Sequence, residues 1–299
     1  MTLAEIDKDW WSQLFVFDHY GELLALLHNS ILAGAVLGVV GGLIGVFVIA
    51  RDMPFAVHGI SELSFAGASA GLLLGIGVVA GALAGSILAA LLLGVLGARA
   101  RDRNSITAVI MPFGLGLGIL CLALYPGRSA NKFGLLTGQI VAIDDPQIGA
   151  LITISAIVVA GLLLIWRPLL FASTDADVAA ARGVPTRLLS IVFMLLLGLA
   201  VAVSVQIVGA LLVLSLLVTP AAAALRVSSS PLLVPLLSVC FAVTSTVGGI
   251  LLALGGSIPI SPYVTTISFT IYLVCQLIRT VRRRGSRRDA RARQPLAAS

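Results

Sequence analysis

The sequence predicts an all-α, polytopic membrane protein of about eight to nine transmembrane helices. Three observations carry that prediction. Hydrophobic residues make up 59% of the 299, and charged residues only 11%. Mean hydropathy is +1.10, well above the range of soluble domains. The charges also fall between long apolar runs, each able to cross a bilayer at about 1.5 Å per helical residue.

The net charge of +6 comes largely from the run Arg279 to Arg293, which a membrane protein keeps in the cytoplasm. Nucleic-acid binding is therefore not expected. Cys121, Cys240 and Cys275 stand alone in apolar stretches without a CxxC pair, so they are expected to be packing residues and not a disulfide framework.

Residues 1–21 are acidic and aromatic, with Trp10, Trp11, Phe15, Phe17 and Tyr20. They predict an interfacial segment on the non-cytoplasmic side. Residues 22–280 form the expected transmembrane domain, and 281–299 a basic cytoplasmic tail. The first span, 22–50, opens on acids and not on a basic segment, so a retained helix is expected. Its glycines 34, 38 and 42 recur every four residues, as do 41 and 45, a spacing that lets helices approach closely in lipid. His28 near its start is expected to be an interfacial histidine.

Residues 51–99 hold two helices, breaking near Gly75-Ile-Gly77. Arg99, Arg101 and Arg103 mark a cytoplasmic loop. The next span, about 105–125, contains Pro112, Gly114, Gly116 and Gly118, which predict a kink. Residues 126–146 form a mixed connection, with a short half-buried helix at 135–140. A span over about 147–166 ends at Arg167-Pro168.

A short amphipathic helix follows, within about 173–185. Ser173 or Thr174 suits its cap, Asp175 and Asp177 its first turn, and Gly183 and Pro185 its stop. An ordinary linker would look the same. Residues 187–226 contain no internal charge and fit two helices, breaking near Ser204 to Gln206 or at Gly209. A span over 231–254, a tight turn at 255–259 and a last span over 263–278 complete about nine passes. With that count Arg51, the Arg99 cluster, Arg167 to Arg187, Arg226 and the Arg279 run share one side. The N-terminus is then outside and the C-terminus cytoplasmic.

One stretch carries chemistry. His58 and Glu62 are four residues apart, hence on one helix face. Glu62 is the one acid within the apolar body of the chain; the other acids sit near the N-terminus, in expected loops or in the basic tail. An imidazole and a carboxylate on adjacent turns can hold one divalent cation. The alternative is a helix-end pair neutralised by Arg51 or water. Only Lys8 and Lys132 are lysines, and neither lies in a phosphate loop. The chain is therefore not expected to hydrolyse ATP by that route. With no relay of several carboxylates either, transport energy is expected from a partner.

Three stretches together resemble the ABC-3 permeases, the membrane subunits of ABC transporters that import zinc, manganese or iron. They are Arg51-Asp-Met-Pro-Phe through Gly67, Phe171 through Ala181-Arg182-Gly183-Val184-Pro185, and Ser204 through Thr219-Pro220-Ala-Ala222. The resemblance implies a type II importer fold and a bacterial cytoplasmic membrane location. It also implies a partner set: a second copy of the permease, cytoplasmic ATPase subunits and an extracytoplasmic metal-binding protein. No permanently bound cofactor is implied, only a transported ion, Zn2+ first and Mn2+ second. His58 and Glu62 take the metal-ligand positions, with the family's commoner order of carboxylate and imidazole reversed. Asp175, Asp177, Ala181, Arg182, Gly183 and Pro185 fall on its coupling helix, where the ATPase docks. Two other readings stay open from the residues: a gradient-driven transporter or channel, and a non-transporting scaffold.

Overall fold

The structure is a computed structural model that describes residues 27–96, 100–127, 145–210, 212–254 and 260–292. Ten α-helices account for almost all of them. In chain order they are α1 (His28–Ala50), α2 (Pro54–Leu74), α3 (Val78–Leu96), α4 (Ala100–Leu124) and α5 (Asp145–Thr174), then α6 (Ala176–Ala181), α7 (Thr186–Val208), α8 (Val213–Val227), α9 (Leu233–Ala253) and α10 (Ile260–Ala292). Among the described residues eight of these are long and apolar enough to cross a membrane, and α8 is a shorter apolar helix. In hydrocarbon a helix satisfies its own backbone groups, which is why the described spans are helical.

Small residues decide which helices meet. The two glycine stripes of α1 serve two different partners. Gly34, Gly38 and Gly42 face α9, where a Cβ on Gly38 would come within 2.8 Å of the Val243 Cα and one on Gly42 within 2.6 Å of the Val239 Cα. Two hydroxyls fasten the same seam, Thr246 donating to the Gly34 carbonyl at 2.8 Å and Ser238 to the Gly42 carbonyl at 2.7 Å. Gly41 and Gly45 face Leu216, Leu217 and Ala221 of α8. Likewise α2 and α3 are zipped through Gly67, Gly71, Gly77, Gly81 and Gly85. Where these helices touch, α1, α5 and α7 close a core around Phe47, whose ring meets Trp166 edge-on at 4.7 Å and Phe193 at 6.1 Å.

The contacts also give directions. Gly34 meets Ile250 and Gly42 meets Val239, so α9 runs antiparallel to α1. Gly41 meets Leu216 and Gly45 meets Ala221, so α8 runs parallel to α1 and ends, like it, beside an arginine. The short helix therefore returns the chain to the Arg51 end. Without that return α9 would start at the wrong end for its contacts with α1.

Several expectations change. The span expected to stop at Arg167-Pro168 runs to Thr174, because Leu169 and Ala172 beyond the proline are buried and repay its lost hydrogen bond. The span expected over about 105–125 begins at Ala100 and continues through Pro112 as one helix. The last begins at Ile260 and extends to Ala292, since the arginines expected in a tail are themselves good helix formers. The breaks at Gly75 to Gly77 and at Gly209 fall where glycine takes positive φ, a region costly for other residues. The acidic segment 1–21, Arg99, Arg128, Lys132, Asp144, the helix at 135–140 and the turn at 255–259 lie outside the described residues.

Candidate functional site

Helix α2 starts from a tight turn. Met53 donates from its amide to the Val48 carbonyl at 2.8 Å and Asp52 to the Ile49 carbonyl at 3.1 Å. Asp52 takes φ 53°, and Pro54 opens the helix with its φ already set. His58 is one turn in. Glu62 is a turn further, about 12 Å along the axis from Pro54.

The two side chains converge. His58 Nε2 lies 3.7 Å from Glu62 Oε1. That is too long for a hydrogen bond, and it brackets a cation held at about 2.1 Å from each atom. Glu62 is 4% exposed, while the His58 side chain keeps 28% of its surface open. Glu62 Oε2 and His58 Nδ1 are buried with no hydrogen-bond partner among the described residues. Placing an ionised acid at the middle of a span costs about 3 kcal/mol on insertion scales, and an unpaired buried polar atom adds to that. Such residues in membranes mark ion or substrate paths.

The surroundings hold α2 tightly at this level. Gly114 of α4 lies against the Glu62 backbone, and Thr107 and Met111 against Gly59. Ser61 donates to the Ala210 carbonyl at 2.9 Å, and Ser64 to the Ala82 carbonyl at 3.2 Å. The Ser61 bond ties the site to the break between α7 and α8 at Gly209. Gln206 Nε2, one turn before that break, is buried and unpartnered among the described residues. Sequence reading missed the Ser61–Ala210 tie; its only signal is a serine beside Glu62 and a glycine after Val208.

Arg51 does not neutralise Glu62 by hydrogen bonding. Its guanidinium lies over the Phe193 ring, 5.7 Å from the centroid. His28 opens α1 at the end opposite Arg51 and is exposed, so it belongs to the other side of the bundle. Among the described residues no group of three His, Cys, Asp or Glu side chains could hold a metal ion. One chain offers the pair alone.

The second candidate region is α6. Asp175, and not Ser173 or Thr174, is its cap: one carboxylate oxygen accepts from the amides of Asp177 at 3.1 Å and Val178 at 3.0 Å. Ser173 and Thr174 instead donate to the Leu169 and Leu170 carbonyls, finishing α5. Their hydroxyls reach back four residues more easily than they reach forward. Asp177 sits in the first turn. Gly183, at φ +83°, ends the helix as Val184 donates to the Ala179 carbonyl at 3.0 Å. Pro185 then leads into α7. Ala179 is buried, while Asp175, Asp177, Ala181, Arg182, Gly183 and Pro185 are all exposed.

Relatives agree with this architecture. The manganese transport system membrane protein MntC of Halalkalibacterium halodurans is 27% identical over 75% of this chain and 77% of its own length. The manganese import system permease protein ScaB of Streptococcus parasanguinis is 27% identical over 87% of this chain and 92% of its own. The solved structure of PsaBC from Streptococcus pneumoniae in complex with Fab superposes with a TM-score of 0.76 at 25% identity, over 85% of this chain and 94% of that one. The model of the ABC 3 transport family matches residues 24–279, and this multi-pass membrane protein therefore belongs to the ABC 3 transport family.

Proposed function

We propose that the chain is the permease of an ABC importer that moves a divalent transition metal across the cytoplasmic membrane, manganese before zinc. The observation that carries this reading is Glu62, buried in a span at 3.7 Å from His58 with its other oxygen unpartnered among the described residues. Relatives named for manganese support that ion over zinc, and a carboxylate ligand suits it. Zinc keeps its claim through the imidazole.

One pair is an incomplete shell. Two copies of the chain related by a two-fold axis would supply two imidazoles and two carboxylates. Such a site holds an ion briefly, since conduction needs binding weak enough for release. The basic helix ends at Arg51, Arg103 and Arg226 support a cytoplasmic position for the α1–α2 turn and the start of α9. The N-terminus is then outside and the C-terminus inside. The exposed helix α6 is on the same side and is the docking point of cytoplasmic ATPase subunits, which supply the energy this chain has no phosphate loop to harvest. An extracytoplasmic metal-binding protein delivers the ion at the opposite face.

The test is uptake of radioactive manganese by cells carrying wild type or Glu62→Gln, with equal amounts of assembled permease. The substitution keeps shape and removes the charge, and it is expected to abolish uptake. Uptake at the wild-type rate refutes the site.

A further inference from the structure

A second cluster of charge has no role in this scheme. It lies at the α1–α2 turn, where the first residues of α4 pass beneath. Arg103 is 6% exposed. Its Nη2 donates to the carbonyls of Arg51 at 3.2 Å and Asp52 at 3.3 Å, which closes the C-terminal end of α1. Its Nε is buried and has no partner among the described residues. The same holds for Arg51 Nε and Nη1, although the Phe193 ring supports one face of that guanidinium.

Two guanidinium groups thus share one corner. Burial, and then the charge of Arg103, push the Arg51 pKa down from its ordinary value. The start of α2 adds to the positive field, because Met53 gives it no side-chain cap and its first amides point into the turn. Asp52 is exposed, and its charge reaches Arg103 without partnering the buried donors of Arg51. A water could accept from those donors, but it cannot offset two like charges. An anion does both.

We propose that Arg51 and Arg103, with the uncapped start of α2, form a binding site for a phosphate-bearing anion, delivered by an anionic phospholipid headgroup or by soluble phosphate. Phosphate offers several acceptor oxygens to a guanidinium fork. The two arginines sit at the ends of membrane-spanning helices, the depth of lipid headgroups, where basic pockets between helices take anionic lipid. Beside them Phe55 is 63% exposed, an aromatic at the height where the glycerol and first methylenes of a lipid lie. These features favour the lipid source. The site lies one to two turns from His58 along α2, so its occupancy would stiffen the base of the helix that carries the metal pair. The inference does not depend on which ion is carried.

The full chain, purified in detergent and stripped of lipid, tests it. Phosphatidylglycerol, phosphatidylcholine and inorganic phosphate are each added to wild type, Arg51→Gln and Arg282→Gln, and the thermal midpoint is followed. Bound lipid is counted by native mass spectrometry. Phosphatidylglycerol is expected to raise the wild-type midpoint and to be retained at least tenfold more tightly than by Arg51→Gln. Phosphatidylcholine should have no such effect, and Arg282→Gln, on the exposed basic stretch of α10, should behave as wild type. Stabilisation by inorganic phosphate alone, lost in Arg51→Gln, keeps the site and assigns it to a soluble anion. If Arg51→Gln does not fold, Arg51→Lys keeps the charge but not the fork, and a weakened response is expected. Equal responses of wild type and the folded Arg51 variant to both anions overturn the proposal.

Discussion

At the scale of single residues the described spans contain little polar chemistry. The convergence of His58 and Glu62 was legible in the sequence, because an i, i+4 spacing fixes a shared face. The glycine stripes of α1 were legible as packing surfaces, but not their division between α9 and α8; spacing shows that a helix comes close and not which one. Here the substitutions are sharpest. Gly42→Val would drive its side chain into the Val239 backbone, 2.6 Å from where a Cβ would sit. Backbone on a packed helix cannot give way cheaply, so a loss of about 1–3 kcal/mol or more is expected, measured as a fall in folded yield and thermal midpoint. Gly116→Val, with nothing within 4 Å, is the control and should be close to wild type. Ser61→Ala removes the bond to Ala210 and should cost about 1 kcal/mol. It is also expected to lower transport more than stability, because it frees the loop beside Glu62; equal losses in both would make the bond merely structural.

At the scale of elements the short helix α6 was read from its start and stop signals, and the region proved right while the cap moved by one or two residues. Three adjacent residues, Ser173, Thr174 and Asp175, can all cap. Only the carboxylate does, because the two hydroxyls are spent on α5. Asp175→Ala should therefore weaken α6 by about 1 kcal/mol, whereas Thr174→Ala should not. If α6 is where ATPase subunits dock, Asp175→Ala also lowers transport-coupled ATP hydrolysis in the assembled complex without loss of the permease; unchanged coupling would return α6 to the status of a linker. The length of α5 was misread because proline is a strong stop in sequence and a weak one when the residues after it are buried. At the end of α8, Arg226 donates to the Tyr272 hydroxyl at 3.0 Å and lies 5.6 Å from the ring centroid. Tyr272→Phe keeps the ring and removes the acceptor, so it should cost about 1 kcal/mol, and Tyr272→Ala more.

At the scale of the whole molecule the apolar runs predict about nine passes, and eight helices reach full span length among the described residues. The difference is α8, too short to be counted by length yet parallel to α1 and ending beside Arg226. Its direction, and not its length, restores the arrangement in which the basic helix ends share a side. Single cysteines introduced after Cys121, Cys240 and Cys275 are replaced by serine test this. Positions 52 and 229 should react with an impermeant thiol reagent from one face and position 76 from the other; labelling of 52 and 229 from opposite faces would remove the return. What one chain does not reveal is a complete ion shell, because the described residues bring together one imidazole and one carboxylate at the site, where a metal needs about four donors. The central claim is that this pair, doubled in a dimer, passes a divalent metal. The most direct measurement is the manganese, zinc and iron content of cells lacking the chain, grown in metal-poor medium and complemented with wild type or Glu62→Gln. A selective fall in manganese is expected, restored by wild type and not by Glu62→Gln. Restoration of the metal by Glu62→Gln to the wild-type level would contradict it.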